Sequence, residues 1–272
     1  MSNEETEVWL SDSPIDVIEN ARKLATAAHE DQVDKAGQPY AGHAERVAER
    51  ASSICQEEAP HLTETVVAAA WLHDVVEDST LTADGLRYLE FPEPVVRAVE
   101  AVTKKDGEPA TAYACRIAAI PAAVIVKRAD LADNTDPERL ALLDDETRLR
   151  LEAKYAEFRR VLGDALSASG AVVLCDYWRP DISINVSARI DDGKLILAGH
   201  DLGPNVRRIW GDSDYEYWLT FEAAGIEALR QHLGADNILG HLALNFTGPD
   251  GMSRLRHVCD AARIPYEFFT YV

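Results

Sequence analysis

The chain has 272 residues, of which 47% are hydrophobic and 27% are charged, and its formal net charge at pH 7 is -20. This charge repels nucleic acids and anionic membranes, and no hydrophobic run approaches the ~20 residues that a membrane span needs. Met1 to Leu10 is too polar for a secretory signal, and the cysteines lack the CxxC pattern of zinc or redox sites. We therefore predict a cytoplasmic protein that binds neither nucleic acid nor membrane.

The first part of the chain has the hydrophobic spacing that is typical of helices. Ser13-Pro14 is a typical helix start, and Pro121 is predicted to end a helix. The short hydrophobic run at 124–126 fits either a strand or the start of a buried helix. Further helices are predicted at 41–51, 63–78, 95–103, 113–119 and 144–162.

The pattern changes after this helical part, because hydrophobic and polar residues alternate from Ala171 onwards, as they do in strands. Asp191-Asp192-Gly193 lies between two such runs and predicts a β-hairpin. Helices are predicted at 223–233 and 252–263, and a last strand at 266–272. The predicted divisions are a tail at 1–14, a helical domain at 15–162, a linker at 163–170 and an α+β domain of unknown role at 171–272.

One predicted helix carries four polar groups close together. Within 63–78, His73 lies one turn from Glu77, and Asp74 lies one turn from Asp78. At about 100° per residue, the four side chains fall within an arc of roughly 140°. Like charges this close are costly in a folded protein unless something compensates them. A bound cation would remove the repulsion among the three carboxylates.

Two further residues complete a candidate set of metal ligands. His43 lies at the start of the second predicted helix, and Asp130 follows a hydrophobic run. With His73 and Asp74 they provide two imidazoles and two carboxylates, which suit manganese, iron, cobalt or zinc better than calcium or magnesium. Such a metal would lower the pKa of a bound water and polarise a phosphoryl oxygen. The adjacent acidic side chains of the same helix would then transfer protons.

These ligands follow the order H…HD…D of the HD superfamily of phosphohydrolases. The finer pattern resembles the hydrolase domain of the RelA/SpoT family and the small alarmone hydrolases, whose motifs look like AHxxQ…KxGxPYxxH, LHDVVEDT and VKxAD…N. The corresponding segments here are 28–43, 72–79 and 126–134, and residues 102–104 resemble that family's VTK segment. The resemblance covers roughly residues 15–162 and implies a mainly α HD-domain helical bundle, followed here by a smaller α+β domain.

The resemblance also implies an activity, namely manganese-dependent removal of the 3′-pyrophosphate from guanosine tetra- or pentaphosphate, (p)ppGpp. Manganese is the favoured cofactor, with iron, cobalt or zinc as alternatives. The implied metal ligands are His43, His73, Asp74 and Asp130. The implied catalytic pair is Glu77 and Asp78. The implied substrate contacts are Lys35, Lys127 and Asn134.

Two departures from the family pattern leave other functions open. Asp34 and Leu131 stand where the family often has arginine. One alternative is an HD nucleotidase or phosphatase that acts on another nucleotide, such as NADPH. The other is a non-catalytic sensor that binds a nucleotide. The expected partners are a nucleotide substrate and, through the C-terminal domain, a second copy of the chain or another protein.

Overall fold

The computed structural model describes residues 16–34 and 37–271, and its first part is helical as predicted. The tail predicted at 1–14 and the helix start predicted at Ser13-Pro14 lie outside the described residues. Most helices of this part share one hydrophobic core. They are α1 (Val17–Ala28), α2 (Ala41–Glu58), a 3-10 helix (Pro60–Leu62), α3 (Thr63–Leu72), α4 (Val75–Asp78), α5 (Ala83–Tyr88), α6 (Glu93–Val102), α7 (Ala110–Ala118), α8 (Pro121–Asn134), α9 (Pro137–Leu140) and α10 (Asp145–Leu166).

Several boundaries of the helical part differ from the prediction. Pro121 begins α8 instead of ending the preceding helix, because the first position of a helix needs no N–H donor. The run at 124–126 therefore lies inside α8, which decides between the strand and the helix in favour of the helix. Helix α10 continues to Leu166, into the segment predicted as a linker at 163–170.

The single helix predicted at 63–78 was wrong, because the chain turns at His73 and Asp74. Helix α3 ends at Leu72, and Asp74 is the N-cap of α4. At this turn, Nε2 of His73 lies 2.9 Å from Oδ2 of Asp74. Both predicted ligands are therefore next to each other between the two helices.

The second part of the chain is a five-stranded antiparallel sheet whose strands pair in chain order. Asp192 and Gly193 form the predicted hairpin turn with φ angles of 46° and 75°, and two positive angles are what a type I′ turn requires. Helices α12, α13 and α14 share a second hydrophobic core with the sheet. The elements are β1 (Ala171–Arg179), β2 (Ile182–Asp191), β3 (Lys194–Leu202), α11 (Pro204–Trp210), β4 (Asp214–Phe221), α12 (Ala223–Leu233), α13 (Ile238–Asn245), α14 (Gly251–Ala262) and β5 (Glu267–Tyr271).

This architecture confirms the predicted fold class, a helical part followed by a smaller α+β part. Among the described residues, no helix combines the length and hydrophobicity that crossing a bilayer would require. Helices α5, α11 and α13 were not predicted, because each is too short for a clear periodic pattern.

The two parts are packed together through helices α10 and α13. A Cβ atom added to Gly240 would lie only 2.5 Å from the carbonyl oxygen of Gly163, so the two backbones are in direct contact. The Asn237 amide donates hydrogen bonds of 2.8 and 2.7 Å to side chains in the last turn and C-cap of α10. Thr247 donates a hydrogen bond of 2.7 Å to Glu58 at the end of α2. The sheet part therefore packs directly on helices of the first part.

This contact predicts the effect of a single added methyl group. We expect Gly240→Ala to lower the free energy of unfolding by ~1–3 kcal/mol, because the helices must separate to admit the Cβ atom. Gly42→Ala is the matched control, since its Cβ would meet nothing nearer than 3.4 Å and alanine is the better helix former. Urea unfolding of the three proteins measures the difference. A Gly240→Ala protein as stable as the wild type would contradict the close packing.

Candidate active site and metal centre

Three separate segments bring buried metal-ligand side chains together. His43 lies in the first turn of α2, His73 at the turn after α3, and Asp130 in the second half of α8. Their donor atoms all lie within 4.8 Å of one another, and the three side chains are buried. These three predicted ligands therefore form a cluster that can hold a metal ion.

The fourth predicted ligand, Asp74, lies at the edge of this cluster. Its Oδ2 atom is 2.9 Å from Nε2 of His73 and 3.8 Å from Nε2 of His43. The hydroxyl of Tyr40 donates a hydrogen bond to the same oxygen. This bond fixes the carboxylate beside both imidazoles, so all four predicted ligands converge.

The hydrogen bonds of the two histidines suit a bound cation. Nδ1 of His73 donates to the carbonyl oxygen of Ala70 at 2.8 Å, and Nδ1 of His43 donates to Oδ2 of Asp133 at 2.7 Å. Because both acceptors lack a proton, Nδ1 carries the hydrogen in each ring, which frees Nε2 as a metal ligand. Nε2 of His73 is buried and makes no hydrogen bond among the described residues. The residues present therefore fit a divalent metal ion.

The electrostatics of the cluster point in the same direction. Burial lowers the pKa of His73, but the carboxylates of Asp74 and Asp130 outweigh it and raise this pKa to about 9. Burial raises the pKa of Asp74, but the adjacent positive charge of His73 outweighs it and lowers that pKa to about 2. A cation would therefore compete with protons for the same imidazoles, so its binding weakens as the pH falls.

The predicted catalytic pair lies beside this cluster. Oε2 of Glu77 accepts a hydrogen bond of 2.9 Å from the backbone N–H of Lys104, which belongs to the VTK segment. Burial, together with the charge of Asp74, raises the pKa of both Glu77 and Asp78 above its ordinary value. Both side chains line a cavity of about 670 Å³. They can therefore exchange protons with a molecule held in that cavity.

Two predicted substrate contacts, Lys127 and Asn134, also line the cavity, but both are hydrogen-bonded to the predicted metal ligand Asp130. Nζ of Lys127 donates to Oδ2 of Asp130 at 2.7 Å, and the Asn134 amide donates to Oδ1 of the same carboxylate. The Lys127 ammonium group also lies over the rings of Tyr113 and Phe158, at 5.6 and 5.4 Å from their centroids. The third predicted contact, Lys35, lies outside the described residues.

Two residues behind the predicted metal ligand His43 were not identified in the sequence analysis. Asp133 and Arg139 form an ion pair next to His43, and Arg139 also bonds to Asp34 at 2.8 Å. Burial raises the pKa of Asp133, but hydrogen bonds from His43 and Arg46 outweigh it and lower that pKa to about 2. The spacing of Asp133 from Asp130, nearly one helical turn, was the available signal for its position near the ligands.

Comparison with known proteins finds relatives that carry the same functional name. Two curated proteins named guanosine-3′,5′-bis(diphosphate) 3′-pyrophosphohydrolase match this chain. The protein from Haemophilus influenzae is 37% identical over 83 residues, which are 30% of this chain and 11% of that protein. The protein from Aquifex aeolicus is 30% identical over 173 residues, which are 60% of this chain and 24% of that protein. No protein-family model matches the chain.

A solved structure of a metazoan ortholog of SpoT that hydrolyzes ppGpp is also similar, with 24% identity and a TM-score of 0.44. The match covers 57% of this chain and 88% of that chain. The chain thus spans about a tenth of the length of the Haemophilus protein and about a quarter of the length of the Aquifex protein. These two sequence matches confirm that the chain resembles the HD-type hydrolases of the RelA/SpoT group.

Proposed function

We propose that the helical part is a metal-dependent phosphohydrolase that removes the 3′-pyrophosphate of (p)ppGpp. The observation that carries this proposal is the convergence of His43, His73, Asp74 and Asp130 beside a cavity that Glu77 also lines. The names of the two curated relatives support the choice of substrate. We propose manganese as the metal because the resemblance implies it; the mixed nitrogen and oxygen ligand set fits manganese and fits iron, cobalt or zinc as well.

Hydrolysis adds water across the bond between the 3′-oxygen and phosphorus, which releases pyrophosphate and leaves a 3′-hydroxyl. The metal would supply Lewis acidity toward a phosphoryl oxygen and toward water. Glu77, held by the N–H of Lys104, accepts a proton from the attacking water. Asp78 orients that water or donates a proton of its own to the leaving 3′-oxygen, in which case the proton taken up by Glu77 restores it through solvent. Lys127 keeps its positive charge beside Asp130, because this carboxylate outweighs burial and raises the pKa of the lysine.

The cavity has room for the rest of a nucleotide. Leu143, Leu151 and Phe158 contribute hydrophobic side chains to its lining, and Lys154 and Arg139 contribute charged ones. A hydrophobic wall suits a nucleobase, whereas the charged side chains suit phosphate groups. A cytoplasmic location and a second copy or protein partner at the C-terminal part stay predictions.

A second candidate is a phosphatase for a different nucleotide, and the position of Asp34 favours it. This carboxylate lines the cavity and bonds to Arg139, at a position where the related hydrolases often have an arginine, so the groups that would meet a nucleotide differ from theirs. The two candidates differ in product, because a phosphatase releases orthophosphate and the first candidate releases pyrophosphate.

Incubation of the pure protein with Mn²⁺ and a panel of nucleotides tests both candidates. We expect release of pyrophosphate from ppGpp, and no release when the metal is removed by a chelator. Orthophosphate from another nucleotide would support the second candidate. Tight nucleotide binding without any turnover would contradict both and would instead support the nucleotide-binding sensor.

A further inference from the structure

A buried carboxylate stands behind one of the metal ligands. Asp133 lies in α8, and its side chain is fully buried, with 0% exposure. Its Oδ2 atom accepts a hydrogen bond of 2.7 Å from Nδ1 of His43, the ring nitrogen on the side away from Asp130. Asp133 therefore contacts the predicted metal ligand His43 without being a metal ligand itself.

Three arginines surround this carboxylate and hold it in place. Nε of Arg46 donates to Oδ1 of Asp133 at 2.9 Å, and Nε of Arg50 lies 3.6 Å from the same oxygen. Arg139 bonds to Oδ2, the oxygen that also receives the hydrogen bond from His43. Burying a carboxylate without partners would be costly, so these bonds fix both its charge and its position.

We propose that Asp133 is a positioning residue, which keeps the proton of His43 on Nδ1 and directs Nε2 of that ring toward the metal. A carboxylate behind a metal-binding histidine fixes the ring and makes its other nitrogen a stronger donor. This inference rests on the proposed metal-dependent function, because it assigns a role to a residue that serves the metal site.

The same carboxylate is linked to the cavity through Arg139. The guanidinium of Arg139 bonds to Asp133 with one nitrogen and to Oδ2 of Asp34 with another, the latter at 2.8 Å. Oδ1 of Asp34 in turn accepts a hydrogen bond of 3.0 Å from the N–H of Gln38, which fixes the turn before α2. Asp133 therefore aligns the ligand His43 and the chain segment that precedes it.

Mn²⁺ affinity measured without substrate tests the role of Asp133. We expect Asp133→Asn, which keeps the shape but loses the charge, to weaken Mn²⁺ binding by ~10- to 100-fold. Asp136→Asn is the matched control. Asp136 lies on the same segment and bonds to Arg50 at 2.6 Å, but the described contacts of its carboxylate do not include His43. This variant should bind Mn²⁺ within about twofold of the wild type, and asparagine preserves its helix cap.

Two further readouts separate positioning from a merely structural role. The absorption spectrum of bound Co²⁺ at saturation should change in Asp133→Asn and stay unchanged in Asp136→Asn, since only the first alters a hydrogen bond to a metal ligand. Should Asp133→Asn fail to fold, ¹⁵N chemical shifts of the histidines in the Zn²⁺-loaded wild type give the same information. They should show His43 protonated at Nδ1.

Each result decides one question. Wild-type Mn²⁺ affinity and Co²⁺ spectrum in a folded Asp133→Asn protein would overturn the positioning role, and so would His43 protonated at Nε2. The first outcome leaves the proposed hydrolase standing, whereas the second would also remove Nε2 of His43 from the proposed ligand set. Failure of the wild type to bind Mn²⁺, Co²⁺ or Zn²⁺ would overturn the metal site itself, and with it the proposed function.

Discussion

Replacement of His73 by alanine should reduce Mn²⁺-dependent release of pyrophosphate by well over ~100-fold, more than the loss of a residue behind a ligand causes. The reason is that Nε2 of His73 is a buried nitrogen without a hydrogen bond among the described residues, placed beside the carboxylates of Asp74 and Asp130. Replacing His73 leaves two carboxylates and one imidazole to hold the metal. Steady-state kinetics at saturating ppGpp, with Mn²⁺ affinity measured in parallel, would test this expectation.

His200→Ala is the matched control for that substitution. His200 lies on β3 and bonds to Asp214 at 2.8 Å, and it belongs neither to the ligand cluster nor to the lining of the cavity. We expect unchanged kcat and unchanged Mn²⁺ affinity. A His73→Ala protein that keeps metal-dependent turnover at the level of this control would rule His73 out as a ligand.

The second large effect is expected at Glu77. Glu77→Gln should lower kcat by ~10²- to 10⁴-fold while Mn²⁺ affinity stays close to that of the wild type, because this side chain transfers protons and is not among the ligands. Glutamine keeps the size of the side chain and can still accept the hydrogen bond from Lys104. Glu64→Gln, at the exposed start of α3, is the control and should leave kcat unchanged.

The pH dependence of kcat adds a separate test of this role. Burial and the charges of Asp74 and Asp78 raise the pKa of Glu77, so the group gains a proton at a higher pH than an exposed glutamate does. Protonated Glu77 cannot act as a base, so the rate should fall as the pH drops through this pKa. Equal kcat in Glu77→Gln and wild type at all pH values would contradict the assignment.

The members of the ligand cluster were more predictable from sequence than the backbone geometry around them. His43, His73, Asp74 and Asp130 were recognised as a set because residue type and order carry the signal, and the structure brings them together. The turn at His73 was missed, because nothing in the local hydrophobic spacing distinguishes it from a continuous helix. Contacts between distant segments decide that turn, and periodicity does not report them.

The residues behind the ligands were harder to predict for a related reason. Arg139 and Asp34 are 105 positions apart, and Asp133 and His43 are 90 apart, so only the folded chain pairs them. In the second part, the hairpin turn at Asp192-Gly193 was predictable because two positive φ angles demand particular residues. Helix α13 was not, since its packing on Gly163 depends on the close approach of two glycines.

The most direct test of the metal site is anomalous diffraction from crystals of the wild-type protein grown with Mn²⁺. A single peak within about 2.5 Å of Nε2 of both His43 and His73, and next to the carboxylate of Asp130, is the expected result. A fully occupied Mn²⁺ elsewhere, with no metal among these side chains, would contradict the account.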